Sequence, residues 1–279
     1  MENTGELYAV ELGGERKVII LDWFETEEEV EKKMKGWSEP PFEKNLEKLR
    51  EKHPDIEISI SKNEARRKGN KARDKWGCLW YYPLDYLDGQ VIEHPLEKWE
   101  YLKDYKFPDP EKDTDWEGIK KGIKEKRERG ELVWGGTEHG FLFLRLTYLR
   151  GYENFMVDVA EKNPLIFELR DKICDYWMEV VKKYVSLGVD IIYFGDDLGL
   201  QDSLPISPSD WRILIKPAYK KLFSYCRENN VHVYLHTDGY ILDIIPDLIE
   251  CGVSVLNPQD LVNGVDNLEK LAKGKVAID

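Results

Sequence analysis

The sequence predicts an α/β protein with a TIM (β/α)8-type barrel, and three observations carry that expectation. Short strands of β-branched and aromatic residues alternate with helices through the second half of the chain, the pattern of parallel strands joined by right-handed crossovers. The closing units recur at intervals of about twenty residues, tight enough for barrel units. The main alternative, a doubly wound open sheet, usually carries a glycine-rich phosphate loop after its first strand, and neither GxGxxG nor GxxxxGK(S/T) occurs.

The elements follow in chain order. Lys17 to Phe24 (KVIILDWF) reads as a strand, followed by an acidic amphipathic helix from Thr26 to about Lys35. Pro40 and Pro41 break it, and a second charged helix runs to Lys52. Ser61 to Lys75 is polar without an apolar period and reads as a linker. The expected division is therefore an N-terminal extension over residues 1–73 and a barrel over 74–279. A short strand at Gln90 to Glu93, an irregular stretch marked by Pro95, Pro108 and Pro110, and a charged helix from Trp116 to about Arg129 come next. Glu131 to Gly136 is a strand ending in glycines. Asn163 and Pro164 supply an N-cap and first-turn proline for a helix whose Ile166, Leu169, Ile173, Trp177, Val180 and Tyr184 share one face. Val189 to Phe194 is the next strand, and Ser207 and Pro208 start a helix expected to bend at Pro217. Val231 to Leu235, a helix over Ile241 to Glu250 capped by Gly252, Val253 to Leu256, a helix over Val265 to Ala272, and Lys275 to Ile278 complete the series. The chain stops at Asp279 after what reads as the seventh strand, so the barrel is expected to lack its last βα unit or units.

Composition narrows the function. A net charge of −13 argues against nucleic acid and anionic membrane as partners, because both need a cationic face. No secretory signal and no apolar run of membrane-spanning length is visible, and the four scattered cysteines (Cys78, Cys174, Cys226, Cys251) suit reduced thiols. A cytoplasmic location is the expectation. A homo-oligomer is compatible with the helix from Ser207 to Glu228, which could supply a dimer face.

In a parallel barrel, chemistry sits where strands end and the following loops begin. Those positions here hold Glu138 and His139 after the VWGG strand, Asp196 and Asp197 after VDIIYFG, His236 and Asp238 after VHVYL, Asn257 and Gln259 after VSVL, and Asp279 after KVAI. Loops are polar anyway, so each residue alone has an equally good structural reading; the recurrence over five strands is the informative part. His236, Asp238, Asp197, Asp196 and Glu138 are the candidate catalytic groups, and Asn257, Gln259, His139 and Asp279 the candidate substrate-binding groups. Two adjacent carboxylates repel, so one of Asp196 and Asp197 is a candidate proton donor. His232, between the core residues Val231 and Val233, is assigned a structural role.

At these residues the chain resembles the uroporphyrinogen decarboxylase superfamily, which includes the tetrapyrrole decarboxylase and corrinoid-protein-dependent methyltransferases. The matching segments are DKWGCLW (Asp74 to Trp80), HPLEKWEYLKDYKFPDP (His94 to Pro110), FLRLTYLRGYENFMVDV (Phe143 to Val159), the stretch from Gly188 to Phe223, VHVYLHTDGYI (Val231 to Ile241) and GVSVLNPQDLVNGVD (Gly252 to Asp266). The segments DDLG and LHTDG are the most specific. The resemblance implies a barrel enzyme, closest to the methyltransferase-like branch, acting on a corrinoid (cobalamin) or a corrinoid protein, or on a small-molecule substrate. The decarboxylase's arginine motif of the RQAGR type is missing, and an octa-carboxylate substrate needs fixed cations, so decarboxylation of a tetrapyrrole is the second expectation. The methyltransferase branch often holds zinc through a His-x-Cys pair. Here the pair reads His236-Thr237-Asp238, which implies a carboxylate-containing divalent metal site, at His236 and Asp238, in place of a thiolate one. A metal-dependent hydrolase would need a second histidine near His236, and in sequence only His232 is close. Members of the superfamily continue past the point where this chain stops, so an inactive or partner-requiring fragment is a third expectation.

Overall fold

Residues 4–12 and 15–24 (as backbone), 68–84 and 89–279 are described by a computed structural model of the chain. The helices expected between Thr26 and Lys52 lie outside these residues. The chain divides into two compact units, Met1–Arg67 and Lys68–Asp279, with the boundary six residues before the expected one. In the first unit, β1 (Thr4–Leu12) and β2 (Glu15–Phe24) form an antiparallel pair, of which only the second strand is legible in the sequence.

The second unit opens with a three-stranded antiparallel sheet, β3 (Lys71–Arg73), β4 (Leu79–Tyr81) and β5 (Gln90–Glu93). Part of the expected linker is thus strand β3. α1 (Trp116–Glu128) then leads into β6 (Trp134–His139), α2 (Phe143–Arg150), α3 (Tyr152–Glu161) and the long α4 (Pro164–Ser186). β7 (Ile191–Gly195), α5 (Pro208–Leu214), α6 (Lys216–Glu228), β8 (His232–Thr237) and α7 (Ile245–Cys251) follow. β9 (Val255–Pro258), α8 (Asp260–Asn263), α9 (Val265–Ala272) and β10 (Ala277–Ile278) end the series.

The five strands β6 to β10 form one parallel sheet whose spatial order equals their sequence order. A doubly wound sheet reverses direction at a switch point; a barrel does not. Along β8 and β9 burial alternates with period two, and β7 is buried except at Tyr193. Ile192, Phe194, Val233, Leu235 and Leu256 are buried on the helix-covered face, where Phe194 packs on Phe223 at 4.8 Å between ring centroids. The opposite face carries Tyr193 and Tyr234, stacked at 5.8 Å, with Trp134 edge-on to Tyr234 at 5.3 Å.

Local chemistry explains where the elements depart from expectation. Pro217 does not bend one helix but separates two, with Ile215 between α5 and α6. α7 starts at Ile245 and not at Ile241, because Pro246 suits a helix's first turn and disfavours helical backbone before it. β6 ends three residues and β8 two residues later than the apolar runs suggest, so His139, His236 and Thr237 belong to strands. The segment after His94 is tied onto α2 and α3 by a buried ion pair. Arg150 donates to Asp158 at 2.8 Å and lies 3.9 Å from the Trp99 ring centre, while the Trp99 indole donates to Asp158 at 3.0 Å.

Candidate active site

Register alone builds the centre of the site. His139 pairs with Gly195, Gly195 with His236, and His236 with Asn257, so these residues form one row across β6, β7, β8 and β9. An irregularity in β6 between Gly136 and His139 brings His139 into that row. Strands are about 4.8 Å apart, which sets His139 and His236 some two strand spacings from each other. Gly195, between them, has no side chain, and the two imidazoles lean over it until their centroids are 5.7 Å apart. A Cβ at Gly195 would lie 2.8 Å from His139 Nδ1.

Asp197 follows β7 and closes the cluster. Its Oδ2 is 3.2 Å from His139 Nε2, and its Oδ1 accepts from the Asp238 N–H at 3.3 Å. Burial pushes the Asp197 carboxyl up, but the bond and charge of His139, the Asp238 N–H and the charge of His236 outweigh it and hold the group below its ordinary value. On the far side, His236 Nδ1 lies 2.6 Å from Asn257 Oδ1, while Asn257 Nδ2 donates to the Asp279 carbonyl at 2.8 Å. The amide is oriented by that second bond, so its oxygen faces His236. His236 therefore donates from Nδ1 to that oxygen, with Nε2 turned toward the mouth. Asp238 Oδ1 stands 3.7 Å from that Nε2, with nearly half of its side chain exposed. Asp279 Oδ2 accepts from the Tyr234 hydroxyl at 2.5 Å.

Two close backbone approaches fix the loops. A Cβ at Gly199 would meet Tyr240 N at 2.3 Å, and one at Gly239 would meet Gly199 C at 2.2 Å, so the DDLG and HTDG turns cross with their main chains in contact. Gly199 N donates to Asp238 O at 3.1 Å, Tyr240 N to Leu200 O at 2.7 Å, and Leu198 N to the buried Thr237 hydroxyl at 3.0 Å. Gly239 also has φ +82°, which favours glycine. Asn263, buried and not anticipated from the sequence, joins this crossing to β9: it accepts from Ile241 N and donates to Gly239 O and Gln259 O.

Other expected residues serve elsewhere. Asp196 is not at the mouth beside Asp197 but fully buried beneath it. Its carboxylate accepts from Phe143 N (2.5 Å), Leu144 N (2.9 Å) and the Tyr219 hydroxyl (2.9 Å), and so anchors the start of α2. Burial raises its pKa to about 6, against the pull of those donors; repulsion from Asp197, the cause expected from the sequence, is the smallest contribution. Glu138 points away from His139, where Lys75 (2.5 Å), Arg145 (3.1 Å) and the Trp76 indole (3.1 Å) bind it. Gln259 accepts from Gly239 N at 2.9 Å and braces the turn. His232 sits at the other end of β8, 3.0 Å from Arg227. All four cysteines are buried, and burial pushes their thiols up to about 11 for Cys174 and about 12 for Cys78, Cys226 and Cys251, so none is a ready ligand or nucleophile.

The second histidine near His236 is thus His139, from a strand about a hundred residues earlier, and not His232. Sequence spacing hides such a neighbour, whereas strand register reveals it. Among the described residues, His139, Asp197 and His236 form the one group of three potential metal ligands, their ligand atoms all within 4.8 Å of one another. Asp238, expected as the partner of His236 in a metal site, is not in that group.

Comparisons with known proteins bear on the fold. A methyltransferase from Methanosarcina mazei has a similar structure, with a TM-score of 0.52 and 18% identity over 73% of this chain and 59% of that one. The chain thus spans less than two thirds of that protein's length. A xylose isomerase domain protein from Planctomyces limnophilus matches at a TM-score of 0.37 and 18% identity, over 61% of each chain, too low to carry weight. No curated protein matches. No helix among the described residues is long and apolar enough to cross a membrane. The family model for uroporphyrinogen decarboxylase (URO-D) matches residues 83–278, and with the sequential parallel sheet this shows that the chain belongs to the URO-D family.

Proposed function

We propose that this chain transfers a methyl group from a small methoxylated substrate to a corrinoid carried by a partner protein. The observation that carries the reading is the make-up of the mouth: two imidazoles, two carboxylates and an amide converge there from four consecutive strands and their loops. Such a set suits a neutral substrate whose oxygen gains negative charge as its methyl group departs. An octa-carboxylate would instead call for fixed cations, and the decarboxylase's arginine motif is missing. The fold shared with a methyltransferase agrees with this reading.

A reduced corrinoid supplies the nucleophile that accepts the methyl group, and the O–CH3 bond breaks with its electron pair left on oxygen. The departing oxygen takes its proton from water at the open mouth, where the half-exposed Asp238 stands. His236, oriented through Asn257, and His139, oriented through Asp197, direct the substrate oxygen toward it. Two imidazoles and a carboxylate also fit a divalent cation, which would polarise the oxygen when bound.

Incubation with a reduced corrinoid protein and a panel of methoxylated compounds, followed by mass spectrometry for demethylated product, tests the proposal. Demethylation that falls on Asp238→Asn supports it. Silence across the panel, with carboxyl loss from uroporphyrinogen instead, would replace it by tetrapyrrole decarboxylation, the reaction after which the family is named.

A further inference from the structure

We propose that His139 Nε2, His236 Nε2 and one oxygen of Asp197 together bind a single first-row divalent transition cation, with Asp238 outside the ligand set. The assignment rests on ligand geometry alone and holds for whichever reaction the mouth performs.

Three independent features carry it. The first is convergence: the ligand atoms come from the ends of β6, β7 and β8 and lie within 4.8 Å of one another, with His139 Nε2 and Asp197 Oδ2 already at 3.2 Å. Ligands about 2.1 Å from one ion stand roughly 3.0–3.4 Å apart, so the closest pair already has the required spacing. The second is a pre-set ring orientation. Asn257 accepts the Nδ1 proton of His236 and is itself held by Asp279, the outer-shell arrangement that leaves Nε2 free to ligate. The third is accommodation. Gly195 in the middle of the row makes the space over which the imidazoles approach, since a Cβ there would press on the His139 ring.

Donor chemistry sets the class of ion. Two imidazoles with one carboxylate favour zinc, cobalt, iron or manganese in the divalent state over magnesium or calcium, which prefer oxygen ligands. Three protein ligands leave coordination positions open, as in catalytic and not structural metal sites. Asp197 and the nearby Asp238 offset the charge of a divalent cation.

The test uses the full chain, stripped with a chelator and titrated calorimetrically with Zn2+ and Co2+, with Mg2+ for comparison. One ion of Zn2+ or Co2+ per chain is expected. His139→Ala, Asp197→Asn and His236→Ala should each weaken binding by about tenfold to a hundredfold, Asn257→Ala by about tenfold, and Asp238→Asn by less than about threefold. Circular dichroism checks that each variant folds. X-ray absorption of the cobalt-loaded wild type, which needs no variant, should count two imidazole ligands. The assignment is overturned by one imidazole, by no binding, or by loss of the ion in Asp238→Asn with His139→Ala unaffected. None of these readouts involves methyl transfer, so failure of the metal site and failure of the proposed reaction are separately visible.

Discussion

Gly195→Ala should disable the site while leaving the fold in place. The added Cβ would stand 2.8 Å from His139 Nδ1, and ordinary contact begins at 3.4 Å, so the ring must retreat by about 0.6 Å. Its Nε2 reaches Asp197 at 3.2 Å, and a retreat of that size carries it out of hydrogen-bond range. The Tyr193 hydroxyl, 2.7 Å from the same point, is the end of a side chain that can swing aside. Gly195 lacks the positive φ that favours glycine, so alanine's smaller loss of backbone entropy returns roughly 0.4–1 kcal/mol against an overpacking cost of about 1–3 kcal/mol. The net loss of stability is about 1 kcal/mol, measurable by urea unfolding. Affinity for Zn2+ or Co2+, with His139 displaced, should fall by about tenfold to a hundredfold. Binding within about twofold of wild type would refute the idea that the gap at Gly195 holds the two imidazoles together, and a loss of more than about 3 kcal/mol would show that the residue serves the sheet and not the site.

Gly239→Ala should be far more damaging. Alanine at φ +82° costs about 1 kcal/mol, and its Cβ meets backbone at 2.2 Å, which cannot rotate away, so a total loss above about 3 kcal/mol in thermal or urea unfolding is expected. Arg150→Ala leaves Asp158 buried without its cation and removes the stack on Trp99; about 3–5 kcal/mol should be lost in the same measurement. Asp196 gives a pH signature. Its folded pKa of about 6 lies above the ordinary 3.8, so the folded state binds a proton that the unfolded state does not, and stability rises as pH falls from 6 toward 3.8. Measured against Asp196→Asn, the wild type should gain up to about 3 kcal/mol between neutral pH and about pH 4, and a flat difference would remove burial as the cause.

The barrel-type fold was legible because its signals are local. β-branched runs, capping residues and a short repeat are written into consecutive positions, and the two elements that departed most, the helices at Pro217 and Pro246, did so at prolines. Asp197 and His236 were legible for a similar reason, because the end of an apolar strand is visible in one dimension. The partnership of His139 with His236 was not. It depends on register across β6, β7 and β8 and on a strand irregularity, neither of which leaves a mark in the sequence. Adjacency also misled at Asp196 and Asp197, since the two residues that follow β7 turn to opposite sides, one into the helix layer and the other toward the mouth. Asn263 and Gln259 carried only the generic polarity of a loop, and their bonds to the Gly239 turn became apparent only in three dimensions.

The contact of main chain with main chain where the DDLG and HTDG turns cross restricts how this rim can diversify. Barrel enzymes commonly acquire new specificities by lengthening the connections after their strands. Here an insertion on either side of Gly199 or Gly239 would pry apart two connections at once and shift both acidic groups they hold. New chemistry is therefore more readily gained by exchanging the side chains at positions 197 and 238 than by remodelling the turns that bear them.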